Sequence, residues 1–405
     1  MSRRGLYGVI SETNLRRRLY EGRDVSRAQS IEELRAIARR RVPNFCFEYV
    51  EGGAEEEMTL HHNRDVFSRI AFQPRTLVDV TRRNQRRQLL GQESASPFLI
   101  GPTGFSGLLS REGDVSIARA AAAAGIPFVL TNVSTTSLED VVRRAGGCIW
   151  MQVYMYRTRA FVEQIASRAH EAGIGTLVLT TDSALYGKRE WDTRNFSGPQ
   201  NLNWRNKLDV IRHPRWIFDI LYPRGFPHFA NLGDLLGPAQ TSVRGAASSI
   251  LGQSLDPSLS WTDVEWLRGI WPGKLIIKGI MNAQDAARAI SVGADGIVLS
   301  NHGGRQLDGA LSAMDVLPEV VAEVKGRIAV MLDGGFRRGS DVVKAVALGA
   351  DAVLLGRATT YGLAAGGQAG VERAIEIMRS EIDRVLGLLG CGDIGQLDQS
   401  YLRRV

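Results

Sequence analysis

VGADGIVLSN, residues 292–301, returns 56 residues later as LGADAVLLGR, residues 348–357. Each copy opens on a Gly-Ala-Asp turn, passes through a short apolar run and stops on a polar end. A strand of a parallel sheet is covered on both faces, so it reads as a continuous apolar run rather than an alternating one. An internal echo of such a unit points to a repeated strand–helix module. Working outward from the pair, six more runs of this kind occur: PFLIG (97–101), FVLTN (128–132), IWMQVYM (149–155), TLVLTTD (176–182), KLIIKG (274–279) and IAVMLDGG (328–335). GIVLSN (296–301) and AVLLGR (352–357) bring the number to eight. Helical patterns fill most of the gaps. Ser137 is placed to cap one helix, and Ser340-Asp341 to start another that ends at Gly349. Eight strands alternating with helices predict an α/β fold of the (β/α)8 barrel type. A doubly wound sheet is the alternative, but PTGFSG after the first strand is not its Gly-rich fingerprint.

This reading divides the chain into a helical extension (1–96), a barrel (97–390) and a C-terminal tail (391–405). An insert at 183–273 separates the fourth and fifth strands and is far longer than an ordinary barrel loop. It carries RHPRWIFDILYPRGFPHFANL (212–232), in which aromatic residues lie between arginines and histidines. Such a segment suits either a lid over the barrel mouth or a membrane interface. In the second case Trp216, Phe218, Ile220 and Leu221 would enter the interface and Arg212, Arg215 and Arg224 would meet anionic headgroups.

The composition is that of a soluble globular protein: 405 residues, 44% hydrophobic, net charge +7. Residues 1–41 hold 11 Arg against 5 Asp and Glu, a basic arm without a nucleic-acid-binding motif. Cys46, Cys148 and Cys391 are dispersed and odd in number, so a reducing compartment is expected and no disulfide framework. No apolar stretch is long enough to span a bilayer. The adjacent His61 and His62 do not aim at one point, and no metal site is expected.

Barrel enzymes work at the C-terminal ends of their strands. Polar residues gather at all eight ends here: Thr103, Thr131, Gln152 with Tyr154, Thr180 with Asp182, Lys278, Ser300 with His302 and Arg305, Asp333 with Arg337, and Arg357. Gly334, Gly335 and Gly356 with Arg337 and Arg357, on the seventh and eighth strands, suit a phosphate. Lys278 suits a structural ion pair, a Schiff base, or a cation beside an electron-accepting ring. His302 with Asp182 as orienter and Arg305 as carboxylate clamp suits proton abstraction from a small acid.

These stretches resemble the FMN-dependent L-2-hydroxy acid dehydrogenase/oxidase family over roughly residues 30–395. SNHGGRQLDG (300–309) is the most specific match, followed by LDGGFRRGSDVVKAVALGADAVLLGRA. VPNFCFEYVEGGAEEE, IGPTGFSGLLSREGD, WMQVYMY and LTTDSALYGKRE also match. The resemblance implies FMN as cofactor, with Pro102, Thr103, Gly104, Thr131, Gln152, Thr180, Lys278 and Ser300 around its ring and ribityl chain. Asp333, Gly334, Gly335, Arg337, Gly356 and Arg357 would hold the ribityl and phosphate. Tyr49, Tyr154, Arg189 and Arg305 would bind a 2-hydroxy acid, with His302 as base and Asp182 as its partner. Gly104 and Val133 take the small form found in membrane-associated lactate and mandelate dehydrogenases of the family. The resemblance therefore implies a peripheral membrane dehydrogenase, on the cytoplasmic face, passing electrons to a quinone. A homotetramer is also implied. A soluble oxidase producing hydrogen peroxide is the alternative, and a phosphate-binding lyase or isomerase the more distant one.

Overall fold

The computed structural model describes residues 20–198, 201–222, 225–233 and 254–405. Residues 1–19 of the basic arm, Arg224 and the stretch 234–253 of the insert lie outside the described residues. Eight parallel strands close into a barrel: β1 Phe98–Ile100, β2 Phe128–Thr131, β3 Ile149–Tyr154, β4 Thr176–Thr180, β5 Lys274–Ile280, β6 Gly296–Leu299, β7 Ala329–Leu332 and β8 Ala352–Leu355. Closure runs through β8 and β1, where Val353 pairs with Phe98 and Leu355 with Ile100. Seven strands fall inside the eight apolar runs, and β5 runs one residue past its own, to Ile280. A closed barrel excludes the doubly wound alternative, because an open sheet keeps two edges.

Strand periodicity explains where the polar residues go. Side chains alternate between the barrel interior and the surrounding helices. Leu99, Val129, Trp150, Val178, Ile276, Val298, Met331 and Leu354 form one buried interior layer, with at least one residue from every strand. Leu89 joins it from the hairpin formed by Arg87–Leu89 and Gln92–Ser94, which precedes β1. Two residues further along each strand stand Gly101, Thr131, Gln152, Thr180, Lys278, Ser300, Asp333 and Gly356. The next inward layer is thus polar or glycine, and it forms the floor of the site.

The extension contributes helices Ile31–Arg41, Asn44–Glu51 and Met58–Asp65. It is not a separate layer: Ile70–Phe72 pairs antiparallel with Leu402–Arg404, which stitches the start of the chain to its tail. Ser137 caps Leu138–Ala145 as expected, its Oγ accepting from Asp140 N. Ser340 is not a cap. The helix begins at Gly339, and Asp341 reaches back to accept from Arg337 N and Arg338 N at 3.0 Å. A carboxylate at the third helical position satisfies those orphan donors better than a hydroxyl at the second.

The insert is smaller than its sequence limits. Trp261–Ile270 is a barrel helix: Arg159 of the preceding barrel helix, Arg159–Glu171, pairs with its Asp263, and Arg288 of the following one, Ala283–Ser291, with its Glu265. The described part of the insert proper holds a short hairpin (Phe196–Gly198 with Asn201–Leu202), helix Trp204–Ile211 and a short helical stretch, Pro214–Trp216 continued as one π-helical turn Ile217–Leu221. Trp216 and Ile220 do not face outward. They are buried, and Trp216 donates its indole N–H to Leu108 O at 2.7 Å and meets Phe45 edge-on. Leu221 also packs against the core. Phe218 and Tyr222 are exposed, together with Trp204, Leu208 and Ile211.

Candidate active site

A cleft of about 1290 Å³ including its mouth opens at the C-terminal end of the barrel. Seventeen of the twenty residues expected at the site line it. Pro102, Thr103 and Gly104 come from the end of β1, Thr131 from β2, Tyr154 from β3 and Thr180 from β4. Lys278, Asp333, Gly334, Gly335, Arg337, Gly356 and Arg357 continue around the later strands, and His302 and Arg305 follow β6. Tyr49 arrives from the extension and Arg189 from the segment after β4. Gln152, Asp182 and Ser300 stand just behind this wall. Gln152 bridges two lining hydroxyls, accepting from Thr131 Oγ1 at 2.6 Å and donating to Thr180 Oγ1 at 2.9 Å.

Lys278 is the electrostatic centre. Its Nζ donates to Ser300 Oγ at 2.7 Å and lies 3.0 Å from Asp333 Oδ2 and 3.6 Å from Asp182 Oδ2. Ser300 donates in turn to Asp333 Oδ1 at 2.7 Å. Burial alone would neutralise an amine, but the two carboxylates outweigh it and hold the lysine above its ordinary value. A Schiff base needs a free neutral amine, so this environment argues against that use of Lys278.

His302 sits in a left-handed conformation, with φ 58°, at the head of a run that continues through Gly303 and Gly304 at φ 64° and 76°. An L-residue seldom adopts that region without surrounding contacts to hold it there. Its Nδ1 is 2.7 Å from Asp182 Oδ1, and Ser183 Oγ donates to the same carboxylate oxygen at 3.0 Å. Burial would raise the Asp182 carboxyl, but His302 and Lys278 more than reverse this and keep it ionised. An ionised Asp182 holds the ring proton on Nδ1 and leaves the Nε2 lone pair free. Burial pulls the imidazole below its ordinary value; Asp182 opposes this, while Lys278 and Arg189 add to it. Burial, Lys278 and Arg189 thus favour the uncharged ring, against the pull of Asp182.

Two guanidiniums face the same space. Arg305 stacks over the Tyr49 ring at 5.1 Å and donates Nη1 to Gly52 O at 2.7 Å. Arg189 lies 4.1 Å over the Tyr186 ring and donates to its hydroxyl. Arg357 uses three of its five N–H groups within the protein. All three of its nitrogens donate to backbone carbonyls, of Val50, Gly303 and Gly52, at 2.8–2.9 Å. Burial pushes it down to about 9, and it ties helix Asn44–Glu51 to the loop that carries His302.

Sequence reading missed Tyr186, Phe105 and Asn63. Phe105 follows Gly104, has φ 63°, and packs between Tyr49 and Phe229 with 4.7 Å between ring centroids on each side. Its position after Gly104 was a usable signal; nothing local marked the other two.

The cleft fits a flavin mononucleotide. Thr103 Oγ1 is buried on its wall with no partner. Gly334 and Gly335, at φ 97° and 87°, offer a backbone that only glycine adopts readily beside Arg337. A cation, a bare hydroxyl and a glycine turn next to a guanidinium are the donors that such a cofactor requires.

Residues 38–404 match the FMN-dependent dehydrogenase family, and the chain belongs to it. It is an FMN-dependent oxidoreductase. It is 46% identical over 375 residues to (S)-mandelate dehydrogenase of Pseudomonas putida, covering 92% of this chain and 93% of that one. It is 42% identical to L-lactate dehydrogenase of Xanthomonas oryzae pv. oryzae (strain PXO99A), covering 92% and 96%. Among solved structures, the monotopic membrane protein (S)-mandelate dehydrogenase superposes with a TM-score of 0.88 at 44% identity, over 94% of this chain and all of that one. A mandelate oxidase superposes at 0.79 with 34% identity, over 92% and 97%.

Proposed function

We propose that this chain oxidises an L-2-hydroxy acid of the lactate or mandelate type to the 2-oxo acid. The observation that carries the reading is a carboxylate-oriented His302 in one cleft with two guanidiniums and a buried lysine. Arg305 and Arg189 bind the substrate carboxylate, with Tyr49 and Tyr154 on either side. His302 Nε2 takes a proton, from Cα in a carbanion route or from the hydroxyl in a hydride route. Asp182 steadies the imidazolium that results. Pro102, Thr103, Gly104, Thr131, Gln152, Thr180, Lys278 and Ser300 would hold the flavin ring and ribityl chain, and Asp333 to Arg337 with Gly356 and Arg357 would hold its ribityl and phosphate. FMN supplies the two-electron acceptor. Anaerobic bleaching of the flavin by L-lactate, (S)-mandelate and longer 2-hydroxy acids tests the reading and identifies the substrate. No bleaching by any of them would remove it.

Arg305→Lys keeps a charge but loses the planar fork. Losing one charge-assisted bond predicts a fall in kcat/KM of roughly 10–100-fold, expressed mainly in KM, with FMN retained. The clamp idea fails if the unaltered enzyme turns over neutral 2-hydroxy amides as well as the acids.

We further propose peripheral attachment to the cytoplasmic face of the membrane, quinone as electron acceptor and a homotetrameric assembly. No helix among the described residues is long and apolar enough to cross a membrane. Attachment rests instead on an outward face of the insert. Trp204, Leu208 and Ile211 lie at i, i+4 and i+7 on helix Trp204–Ile211 and are 66%, 47% and 67% exposed. Phe218 and Tyr222 extend the face, and Arg205, Lys207, Arg212 and Arg215 flank it in sequence. Aromatic residues with bordering cations suit headgroup depth. The triple variant Trp204→Ser, Ile211→Ser, Phe218→Ser is expected to move the enzyme from the membrane to the soluble fraction with its flavin intact. An unchanged membrane fraction would overturn this attachment. Rapid peroxide formation by the unaltered enzyme would favour the soluble-oxidase alternative.

A further inference from the structure

Helix Met58–Asp65 of the N-terminal extension lies across the loop that carries His302. Asp308 of that loop caps the helix, accepting from Thr59 N at 2.8 Å and Met58 N at 3.2 Å. Thr59 Oγ1 returns a bond to Leu307 O and accepts from Ala310 N. Deeper in, Asn63 and Asn301 form a reciprocal amide pair. Each Nδ2 donates to the other's Oδ1 at 2.9 Å, between residues 238 apart in sequence. Both side chains are buried, Asn63 at 1% and Asn301 at 6% exposure. The free capacity of Asn301 is also used, since it donates to Leu311 O at 2.8 Å and accepts from Gly304 N at 3.1 Å.

Asn63 also touches the phosphate side of the cleft. A Cβ on Gly335 would lie 1.9 Å from Asn63 O, and one on Gly334 would lie 3.4 Å from its amide. The neighbouring Arg64 donates to Gly335 O. One short helix therefore braces two segments that the barrel connects only through strands β6 and β7. Asn301 is the residue immediately before His302, and three consecutive left-handed residues follow it. That backbone is costly for His302, so something must hold it. Ser300 Oγ accepts from His302 N, Arg357 donates to Gly303 O and Ala54 N to Gly304 O, and the buried amide pair fixes the residue from which that run departs.

We propose that Asn63 is a positioning residue: paired with Asn301, it sets the left-handed loop so that His302 meets Asp182 and the substrate. It acts through Asn301 and touches neither substrate nor reacting atoms. The inference rests on the reading of His302 as the base, and the test separates the two.

Three measurements on the flavin-loaded enzyme decide the matter. Asn63→Ala should slow anaerobic flavin reduction about 10- to 100-fold, the scale of a small misplacement of a catalytic group. KM should move less than the reduction rate: Arg305 follows on the same loop, but its guanidinium is held separately by Gly52 O. Asn63→Asp keeps the shape but, when ionised, turns an oxygen toward Asn301 Oδ1 without a proton between them. Its deficit relative to the unaltered enzyme should shrink as pH falls and a neutral carboxyl can donate. A merely structural role predicts no such pH-dependent ratio. The third readout needs no turnover: modification of His302 by diethyl pyrocarbonate across pH, located by mass spectrometry, should change rate and midpoint in Asn63→Ala. Reduction within twofold of normal in Asn63→Ala, or a deficit in Asn63→Asp that is equal at every pH, overturns the proposal. If Asn63→Ala does not fold, the Asn63→Asp pH ratio decides alone. Failure of the base reading shows in His302→Ala, whereas failure of this one shows as an unaltered His302 modification profile.

Discussion

His302→Ala is expected to keep its FMN and to reduce it about 10²–10⁴-fold more slowly, the usual contribution of a general base. The loss should be in chemistry. Arg305 and Arg189 reach the cleft from other segments or by their own backbone contacts, so substrate binding should survive. The same assignment fixes a pH dependence. The imidazole lies below its ordinary value because burial, Lys278 and Arg189 outweigh Asp182. The base is active when unprotonated, so kcat/KM should rise with pH along a limb whose midpoint lies below about 6.5. Asp182→Asn removes the anion that favours the imidazolium. It should push the midpoint lower still and slow reduction, since the ring also loses its tautomer control. Stopped-flow reduction under anaerobic conditions measures both effects. Near-normal reduction by His302→Ala, or a limb centred above the ordinary imidazole value, would refute the assignment.

The second large effect is on stability. Lys278→Met should destabilise the fold by about 3–5 kcal/mol, because it strands buried carboxylates rather than deleting a pair. The lysine side chain is 5% exposed, Asp182 10% and Asp333 16%, so solvent cannot replace the lost cation. The pH dependence follows from the raised lysine. A group that binds its proton more tightly when folded contributes fully below its unfolded value and loses that contribution as pH rises through the folded one. The gap between the two proteins should thus be complete at neutral pH, narrow in strong alkali above about 10.4, and narrow also in acid, where protonation of Asp182 removes the charge that Lys278 stabilises. Urea unfolding at neutral pH measures it through the midpoint. Equal midpoints would mean that the two carboxylates do not depend on Lys278.

Much of this architecture could be read before any coordinates. The eight apolar runs were legible because a strand covered on both faces cannot alternate. The polar residues after them were legible because an inward position recurs every second residue, so Lys278 follows Ile276 and Ser300 follows Val298 into the barrel. Chemistry-bearing residues such as His302 and Asp182 stood out because their types are costly in that layer unless paired. Strand period and burial cost are local properties, and the chain carries them in its order.

What the order of residues did not carry was the identity of each partner. Arg357 has the right residue type and place for a phosphate, but that three of its five N–H groups meet carbonyls supplied by other segments is visible only in the fold. Trp216 has the flanks of a membrane anchor, but a carbonyl at Leu108 and the ring of Phe45 turn it inward. Trp204 and Ile211 face out instead, because only the packed helix decides which stripe is left uncovered. Asn63 had no signal at all, since an asparagine in a helix pattern means nothing until Asn301 is brought against it. The sequence by itself determined the barrel and the chemical inventory at its mouth, both set by short-range periodicity. Tertiary structure alone decided which donors are spent, which face is exposed and what holds His302, because those depend on contacts between residues far apart along the chain.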